Sequence, residues 1–538
     1  MIKQEQFLNN SSFSNKKLYI STTLPYVNSH PHIGHAFEFV MADFFKRYYN
    51  LLYNLNWGEK YTTISNVAFL NTGIDEHGQK VAQKAGELKL RPEEYCDIMS
   101  VDWKKFCSDL NMNYDSFYRT SSDKHKDLVQ EYLFSIRKIL YSKSYTGKYC
   151  AGCESFKTEK EIKNNQCEYH PGLELKEISE TNIFFPLTKF RDMNLENILV
   201  DETMQNELNS IIENCGDLSI TRETVSWGIP VPFSQQTIYV WFEALLNYVF
   251  AIGYEPSLLN FLEFSKQWKN SIIICGRDNL KFQAYILPAI LKANAINPPK
   301  KILVHGMILD KDGNKMSKSL GNAINPVEQI DKYGLNAFRY YLLAGLNTFQ
   351  NSCYSEEELI NKFNNDACNN LGNLISRLTT IIDRDFTEYF FNNERRQEIG
   401  LSISGTYKKT IDIKSNSNGV YNSISNLKDS DFIKKVDEEL IKAHTEIQMN
   451  FNIKNAFTII NNLVSEMNRY FTNEKPYNAN SENRLTVITE LLYALRKVYI
   501  FYASAMPNID KEFALIFAEP RKRILFDKID VKKVSFQQ

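Results

Sequence analysis

One stretch near the start constrains the chain most. KLYISTT (17–23) has the apolar run of a buried strand, LPYVNSHPHIGH is a loop rich in Pro, Gly and His, and a helical pattern runs from about Ala36 to Tyr53. A strand that passes through such a loop into a helix opens a doubly wound α/β domain, whose ligand crevice lies at the carboxyl ends of the strands. A second strand, VAFLNTGI (67–74), ends at Asp75-Glu76-His77-Gly78 and is followed by the helix VAQKAGELK. Residues 86–140 have the pattern of amphipathic helix. SIIICG (271–276), the helical FQAYILPAILKANAI and the strand KILVHGMI (301–308) continue the sheet.

From Tyr149 to about Phe190 the texture differs: cysteines cluster, charges mix and turns are frequent, so a small domain is expected to interrupt the sheet. From about 355 to 510 the periodicity is helical, with a polar loop over 392–428, and the last helix stops at Pro507. EKYTTISN (59–66) reads as an insert without an evident role, and no internal repeats are found.

At 538 residues the chain has room for about three or four domains. With 43% hydrophobic and 13% aromatic residues it can bury a large core, which excludes a disordered protein and a small disulfide scaffold. The 63 basic and 64 acidic residues give a net charge of -1, which excludes a histone-like coat but not an enzyme that grips nucleic acid along one groove. No apolar run approaches the ~18–20 residues that span a bilayer, and the polar start lacks a signal core, so no membrane or secretory role and a cytoplasmic location are expected, an organelle remaining open. Nine cysteines without an extracellular cue read as thiols or metal ligands.

Two short motifs carry chemistry. His32-Ile33-Gly34-His35 places two imidazoles one turn apart at the positive end of a helix, where phosphates bind; Gly34 lets a flat base approach the backbone. Lys315-Met316-Ser317-Lys318-Ser319 lies in the Gly-rich DKDGNKMSKSLGN, and its lysines and hydroxyls suit a pyrophosphate that becomes a leaving group. Alone, each motif competes with a bland alternative: incidental histidines in a proline-rich loop, or a solvated basic turn. A third feature is a metal spacing. Cys150-x2-Cys153 and Cys167-x2-His170 are joined by 13 residues, a pattern that builds a closed Cys3His zinc site, hence a structural one. Only one such set occurs, so one Zn2+ is expected.

HIGH followed by KMSKS on an α/β frame resembles a class I aminoacyl-tRNA synthetase. The flanking TTLPYVNSHPHIGHAFEF, NTGIDEHGQKVAQKA, YCAGCESFKTEKE, DLSITRETVSWGIPVP and VWFEALLNY narrow the resemblance to the methionyl-tRNA synthetase family, over about residues 17–510. The resemblance implies a Rossmann-like class I catalytic domain (17–140 and 216–310) split by a zinc-knuckle insertion (141–215). A KMSKS loop and stem-contact region (311–355) and an all-α anticodon-binding domain (356–510) follow, with tails at 1–16 and 511–538. It implies activation of L-methionine by ATP with Mg2+, then transfer to tRNA(Met). His32 and His35 would hold ATP phosphates, Glu38, Gly276 and Asp278 the nucleoside, and Lys315 and Lys318 the pyrophosphate. Asp75 would receive the α-amino group and Arg222 lie near the carboxylate and phosphates. Leu24, Tyr26, Trp241, Ala244 and Tyr248 would form the side-chain pocket. Asn373 and Arg377, one turn apart, would read the anticodon.

Three positions depart from the family pattern. Gln283 and Leu287 stand where His and Trp are frequent, with Gln283 expected to support the Tyr248 hydroxyl. Tyr477 follows Pro476 where a Trp is usual, and can still stack on a base. Rival readings are a class I enzyme for another amino acid, and a tRNA-binding homologue without catalysis. The Leu, Ile and Val enzymes carry an editing insertion for which this chain has no room, a cysteine enzyme would need zinc in its amino-acid pocket, and intact His32, His35, Lys315 and Lys318 speak against lost catalysis. Without an appended tRNA-binding module, a monomer is expected.

Overall fold

The structure is a computed structural model that describes residues 18–57, 66–150, 155–157, 162–163, 165–167, 170–257, 261–316, 321–387, 430–478, 483–509, 512–513, 516 and 525–529. The insert at 59–66, the polar stretch 392–428, Cys153 and Lys318 therefore lie outside the described residues, apart from Asn66. The chain forms two compact units, one from residues 18–31, 69–108 and 114–304, the other from 32–68, 109–113 and 305 onward.

The first unit is built on a five-stranded sheet in the order Lys301–His305, Ser271–Gly276, Leu18–Ser21, Ala68–Ile74, Ser116–Arg119. Leu18–Ser21 runs parallel to Ser271–Gly276, and Ala68–Ile74 parallel to Ser116–Arg119. Tyr19, Ile20, Leu70, Ile273, Ile274, Leu303 and Val304 are buried, as expected of strands covered on both faces. The last strand lies inside the stretch read as amphipathic helix. SFYR is only four residues long and half-buried throughout, too short for a periodicity to show. Its neighbour Gly73 is required by packing, because a Cβ there would stand 2.0 Å from the Tyr118 carbonyl oxygen. Between the sheet's two halves, Tyr141–Cys150 and Lys176–Phe185 form a long antiparallel pair, flanked by Leu218–Ser219 and Ser155–Phe156. A separate three-stranded sheet joins Ile162–Lys163, Gln166–Cys167 and His170–Glu174.

The second unit opens with the helix Ile33–Trp57, longer at both ends than the periodicity suggested. It also holds the helices Asn373–Asp385, Asp431–Gln448, Ile453–Glu474 and Arg484–Ala505. The stretch 301–308 is not one strand. Gly306 breaks it, because a Cβ there would stand 2.1 Å from the Gln350 carbonyl oxygen, and Ile308–Leu309 then pairs with Ser352–Cys353. No helix among the described residues is long and apolar enough to cross a membrane.

Candidate active site

In the first unit the sheet topology locates the site. The chain runs outward from Leu18–Ser21 through Ala68–Ile74 to Ser116–Arg119, then returns on the other side of Leu18–Ser21 with Ser271–Gly276. Ligands of such sheets bind beyond the carboxyl ends of the two strands where the winding reverses. The segments leaving those ends carry Leu24 and Tyr26 on one side and Gly276 and Asp278 on the other; Asp278 is exposed on a short 3-10 turn.

Tyr26 and Asp75 are brought together as an isolated parallel bridge. The Asp75 N–H donates to the Pro25 carbonyl at 2.9 Å, and the Val27 N–H to the Asp75 carbonyl at 3.1 Å. The Thr120 hydroxyl accepts from the Glu76 N–H at 2.9 Å and donates to Asp75 Oδ1 at 3.3 Å, so the carboxylate is aimed from below. The expected pocket walls sit on two helical segments. Val240–Ala244 presents Trp241, and Phe282–Ile286, a π-helical turn, presents Phe282; the two rings stack at 4.2 Å and 20°. π-helical turns inside helices recur at functional sites, and this one carries Gln283. Ala244, Tyr248 and Leu287 are buried. Gln283 is buried too, and its Oε1 has no partner among the described residues, so that oxygen does not make the expected bond to Tyr248. Arg222 Nη1 donates to the carbonyls of Ser219 and Thr221 at 3.1 and 2.7 Å, and the guanidinium lies 4.0 Å over the Tyr239 ring. Gly78, Arg222, Trp227 and Tyr239 line one cleft.

The second unit holds the histidines. His32 and His35 stack with centroids 3.7 Å apart and 24° between planes. The His32 N–H donates to His35 Nδ1 at 3.2 Å, and the Gly34 N–H donates to His32 Nδ1 at 3.1 Å. Both Nδ1 atoms are thus acceptors, which leaves the hydrogen of each neutral ring on Nε2. Two N–H donors at the start of a 25-residue helix suit phosphate oxygens. Glu38, on the same helix, meets His305 Nε2 at 3.2 Å, and Phe37 packs edge-on against that imidazole at 5.3 Å. Lys315 is exposed and closes a bridge with Leu309. The root of its loop is tied by Asp310, which accepts from the Asn314 N–H at 2.8 Å and from Asn322 Nδ2 at 2.8 Å; the Asn322 bond leads the contacts that lower its pKa. Gly313 takes φ +82 in that turn. These loop ties, and Phe282 beside Trp241, escaped the sequence reading; only the Asp-x2-Gly-Asn spacing of a tight turn pointed to the first.

In the same unit Arg377 lies 4.2 Å over the Phe471 ring and donates to Thr472 Oγ1 at 3.2 Å. Phe471 is 6.2 Å from Tyr477, which is 45% exposed, and Asn373 is exposed at the start of the Arg377 helix. Arg484 Nε donates to the Pro476 carbonyl at 2.7 Å and also pairs with Asp385. Hydrogen bonds from Arg384 first, then Arg484, lower the Asp385 pKa to about 2.

The chain matches the family described as tRNA synthetases class I (M) over residues 18–379. It is 33% identical to a methionine–tRNA ligase of Fusobacterium nucleatum over 92% of this chain and 73% of that one. The chain belongs to the methionyl-tRNA synthetase family. A methionine–tRNA ligase of Thermotoga maritima is also 33% identical, over 92% of this chain and 74% of its own length. Among solved structures, a Mycobacterium tuberculosis methionyl-tRNA synthetase in complex with methionyl-adenylate superposes with a TM-score of 0.76 at 25% identity, covering 93% of each chain. The Rossmann-like parallel sheet and the following helices are those of a class I synthetase.

Of the expected zinc ligands, Cys150 and Cys167 are buried, and Cys167 pairs with His170 across the Gln166–Cys167 hairpin. The placement of Cys153 and of the His170 side chain lies outside the described residues, among which no three metal-binding side chains are gathered. Cys150 and Cys167 are soft thiol donors, and their chemistry fits zinc.

Proposed function

We infer that the chain activates L-methionine with ATP and transfers the methionyl group to tRNA(Met). A methionine carboxylate oxygen attacks the α-phosphorus of ATP, and pyrophosphate leaves. A hydroxyl of the terminal ribose of the tRNA then attacks the methionyl carbonyl, and AMP leaves. The observation that carries this reading is the His32–His35 pair, stacked at 3.7 Å with both Nδ1 atoms occupied by backbone N–H groups. Such a pair sets two oriented imidazoles at the start of the helix Ile33–Trp57, where phosphate oxygens are favoured, which fits a reaction accelerated by positioning and charge stabilisation. Lys315 and Lys318 would neutralise the departing pyrophosphate, and Mg2+ would enter with the ATP phosphates. Glu38, steadied by His305, and Asp278 would approach the ribose, and Gly276 would contribute to ATP binding. Asp75 would take the ammonium group, Arg222 would lie near the carboxylate, and Leu24, Tyr26, Trp241, Ala244, Tyr248 and Gln283 would receive the thioether side chain.

Residues 141–215 would be the inserted domain, with Cys150, Cys153, Cys167 and His170 holding one structural zinc that would crosslink the insert and supply no chemistry. Asn373, Arg377 and Tyr477 would read the anticodon; the Arg377–Phe471–Tyr477 cluster supports this by offering a cation and an exposed ring on one surface. The test is amino-acid-dependent ATP–pyrophosphate exchange, run with methionine and with leucine, isoleucine, valine and cysteine, followed by charging of tRNA(Met). Exchange with methionine alone is expected. Preference for another amino acid, or no exchange at all, would overturn the assignment.

A further inference from the structure

Glu243 sits on the Val240–Ala244 helix between two expected wall residues, Trp241 and Ala244. Its side chain is fully buried and bridges two imidazoles. Oε1 lies 2.8 Å from His77 Nδ1, and Oε2 lies 2.6 Å from His125 Nε2. His125 Nδ1 in turn meets the Tyr118 hydroxyl at 2.9 Å. Burial raises the Glu243 pKa and the His125 hydrogen bond opposes that rise; as a carboxylate Glu243 has no hydrogen to give, so each imidazole then donates to it and His125 accepts from Tyr118. Burial drives the His77 pKa down to about 4, which keeps that ring neutral.

His77 is two residues from Asp75, on the turn that follows Ala68–Ile74. The far side of this turn is fixed independently. Trp227 Nε1–H donates to the Glu76 carbonyl at 2.6 Å, the Gly78 N–H donates to the Trp227 carbonyl at 2.9 Å, and the His77 ring packs 5.2 Å from the Trp227 ring. Trp227 thus holds the turn on that side. Val240–Ala244, by contrast, runs on through Leu245 and Leu246 into the short helix Asn247–Phe250, and the whole is still below the length of about 12–15 residues at which helices hold themselves, so its position follows from what it is tied to. The Glu243–His77 bond ties it to the turn that carries Asp75, and Asn71 Nδ2, donating to Asn247 Oδ1 at 3.1 Å, ties its continuation to the Ala68–Ile74 strand.

We propose that Glu243 is a positioning residue that sets the span between Asp75 and the Trp241–Ala244 wall, and through it the side-chain length that the site accepts. This rests on Asp75 being the ammonium anchor and Trp241 a wall of the pocket. The apolar packing of Val240 and Phe242 and the Asn71–Asn247 bond would hold the helix in the core without Glu243, but Glu243 is the tie that lies between Trp241 and Ala244.

The experiment compares Glu243→Gln and Glu243→Asp with the wild-type chain in ATP–pyrophosphate exchange, using methionine and ethionine, whose side chain is one methylene longer. An amide can accept from only one imidazole and must donate toward the other, so Glu243→Gln breaks or inverts one bond. The expected result is a methionine KM raised about tenfold with the ATP KM within about twofold, and a methionine-to-ethionine ratio of kcat/KM reduced about tenfold, the scale of one methylene in an apolar pocket. Glu243→Asp keeps the charge, and should change the ratio less than Glu243→Gln. An unchanged ratio accompanied only by a lower Tm would make Glu243 a core group and overturn the proposal; so would equal rises in both KM values. Should Glu243→Gln not fold, Tyr118→Phe removes only the outermost hydroxyl and must move the same ratio in the same direction, an unmoved ratio again overturning the proposal. Failure of the wild-type chain to exchange with methionine would instead strike the underlying assignment.

Discussion

Arg339 Nη2 lies 2.6 Å from Asp43 Oδ2, and both side chains are fully buried. The same guanidinium donates to the carbonyls of Leu110 and Ala505 at 2.8 Å each. One side chain thus joins the helix Ile33–Trp57, which begins beside His32, to the end of the helix Arg484–Ala505. Burial penalises both charges. For Asp43 that penalty is outweighed by Arg339, Arg47 and the Asn113 N–H, so its pKa falls below the usual carboxylate range. Arg339→Leu leaves Asp43 buried and partly unpaired, and is expected to cost roughly 3–5 kcal/mol. Asp43→Asn in the same chain should recover part of that loss, as a double-mutant cycle of thermal unfolding would show. Because the folded pKa of Asp43 is depressed, its stabilisation is present above its unfolded value near 3.9 and is lost as pH falls through the folded value. The wild-type chain should therefore lose its advantage over the double variant only in acid.

Lys318→Ala should lower the methionine adenylation rate far more than it raises the methionine KM. One oriented donor to a developing charge is worth about 3–4 kcal/mol in comparable sites. Single-turnover adenylation measures it. An unchanged rate with weaker ATP binding alone would remove the transition-state role.

Cys153→Ser should release zinc and loosen the inserted domain, because metal binding and folding of a closed site are one equilibrium. Metal analysis should find one zinc in each wild-type chain and little in the variant. A wild-type chain that is folded and metal-free would refute the site.

Arg377→Ala should impair tRNA charging and spare ATP–pyrophosphate exchange. It removes the cation over Phe471 and the bond to Thr472, both on the surface proposed to read the anticodon. Equal losses in the two assays would show that Arg377 serves the fold.

Gln283→His should retain activity at pH 8 and add a loss in acid. The new imidazole would titrate from its ordinary value of about 6.5, or lower, since burial disfavours the imidazolium. Gln283 is only 3% exposed and its Oε1 has no partner among the described residues, so the replacement enters a buried site that can still take a hydrogen-bonding group. The quantity to measure is the ratio of variant to wild-type kcat/KM for methionine across pH 5–8; using the ratio cancels titrations that both proteins share. A flat ratio would take position 283 out of the methionine pocket.

Local chemistry was legible in the sequence by itself. The strand, loop and helix around His32-Ile33-Gly34-His35, the Lys315–Ser319 motif and the cysteine spacing are short-range patterns. The residues expected to do chemistry lie next to the turns and caps of their own motifs, so the family and its reaction could be read without coordinates. What only the tertiary structure decided is made of contacts distant in sequence. Ser116–Arg119 becomes a strand because Ala68–Ile74 offers it an edge, which four half-buried residues cannot announce. Glu243 meets His77 and His125 across 166 and 118 positions, and Arg339 meets Asp43 across 296. A lone Glu or Arg within an apolar stretch has no periodicity to mark it. Its partner is chosen by burial, which makes an unpaired charge too costly and so fixes a unique set of neighbours once the chain has folded.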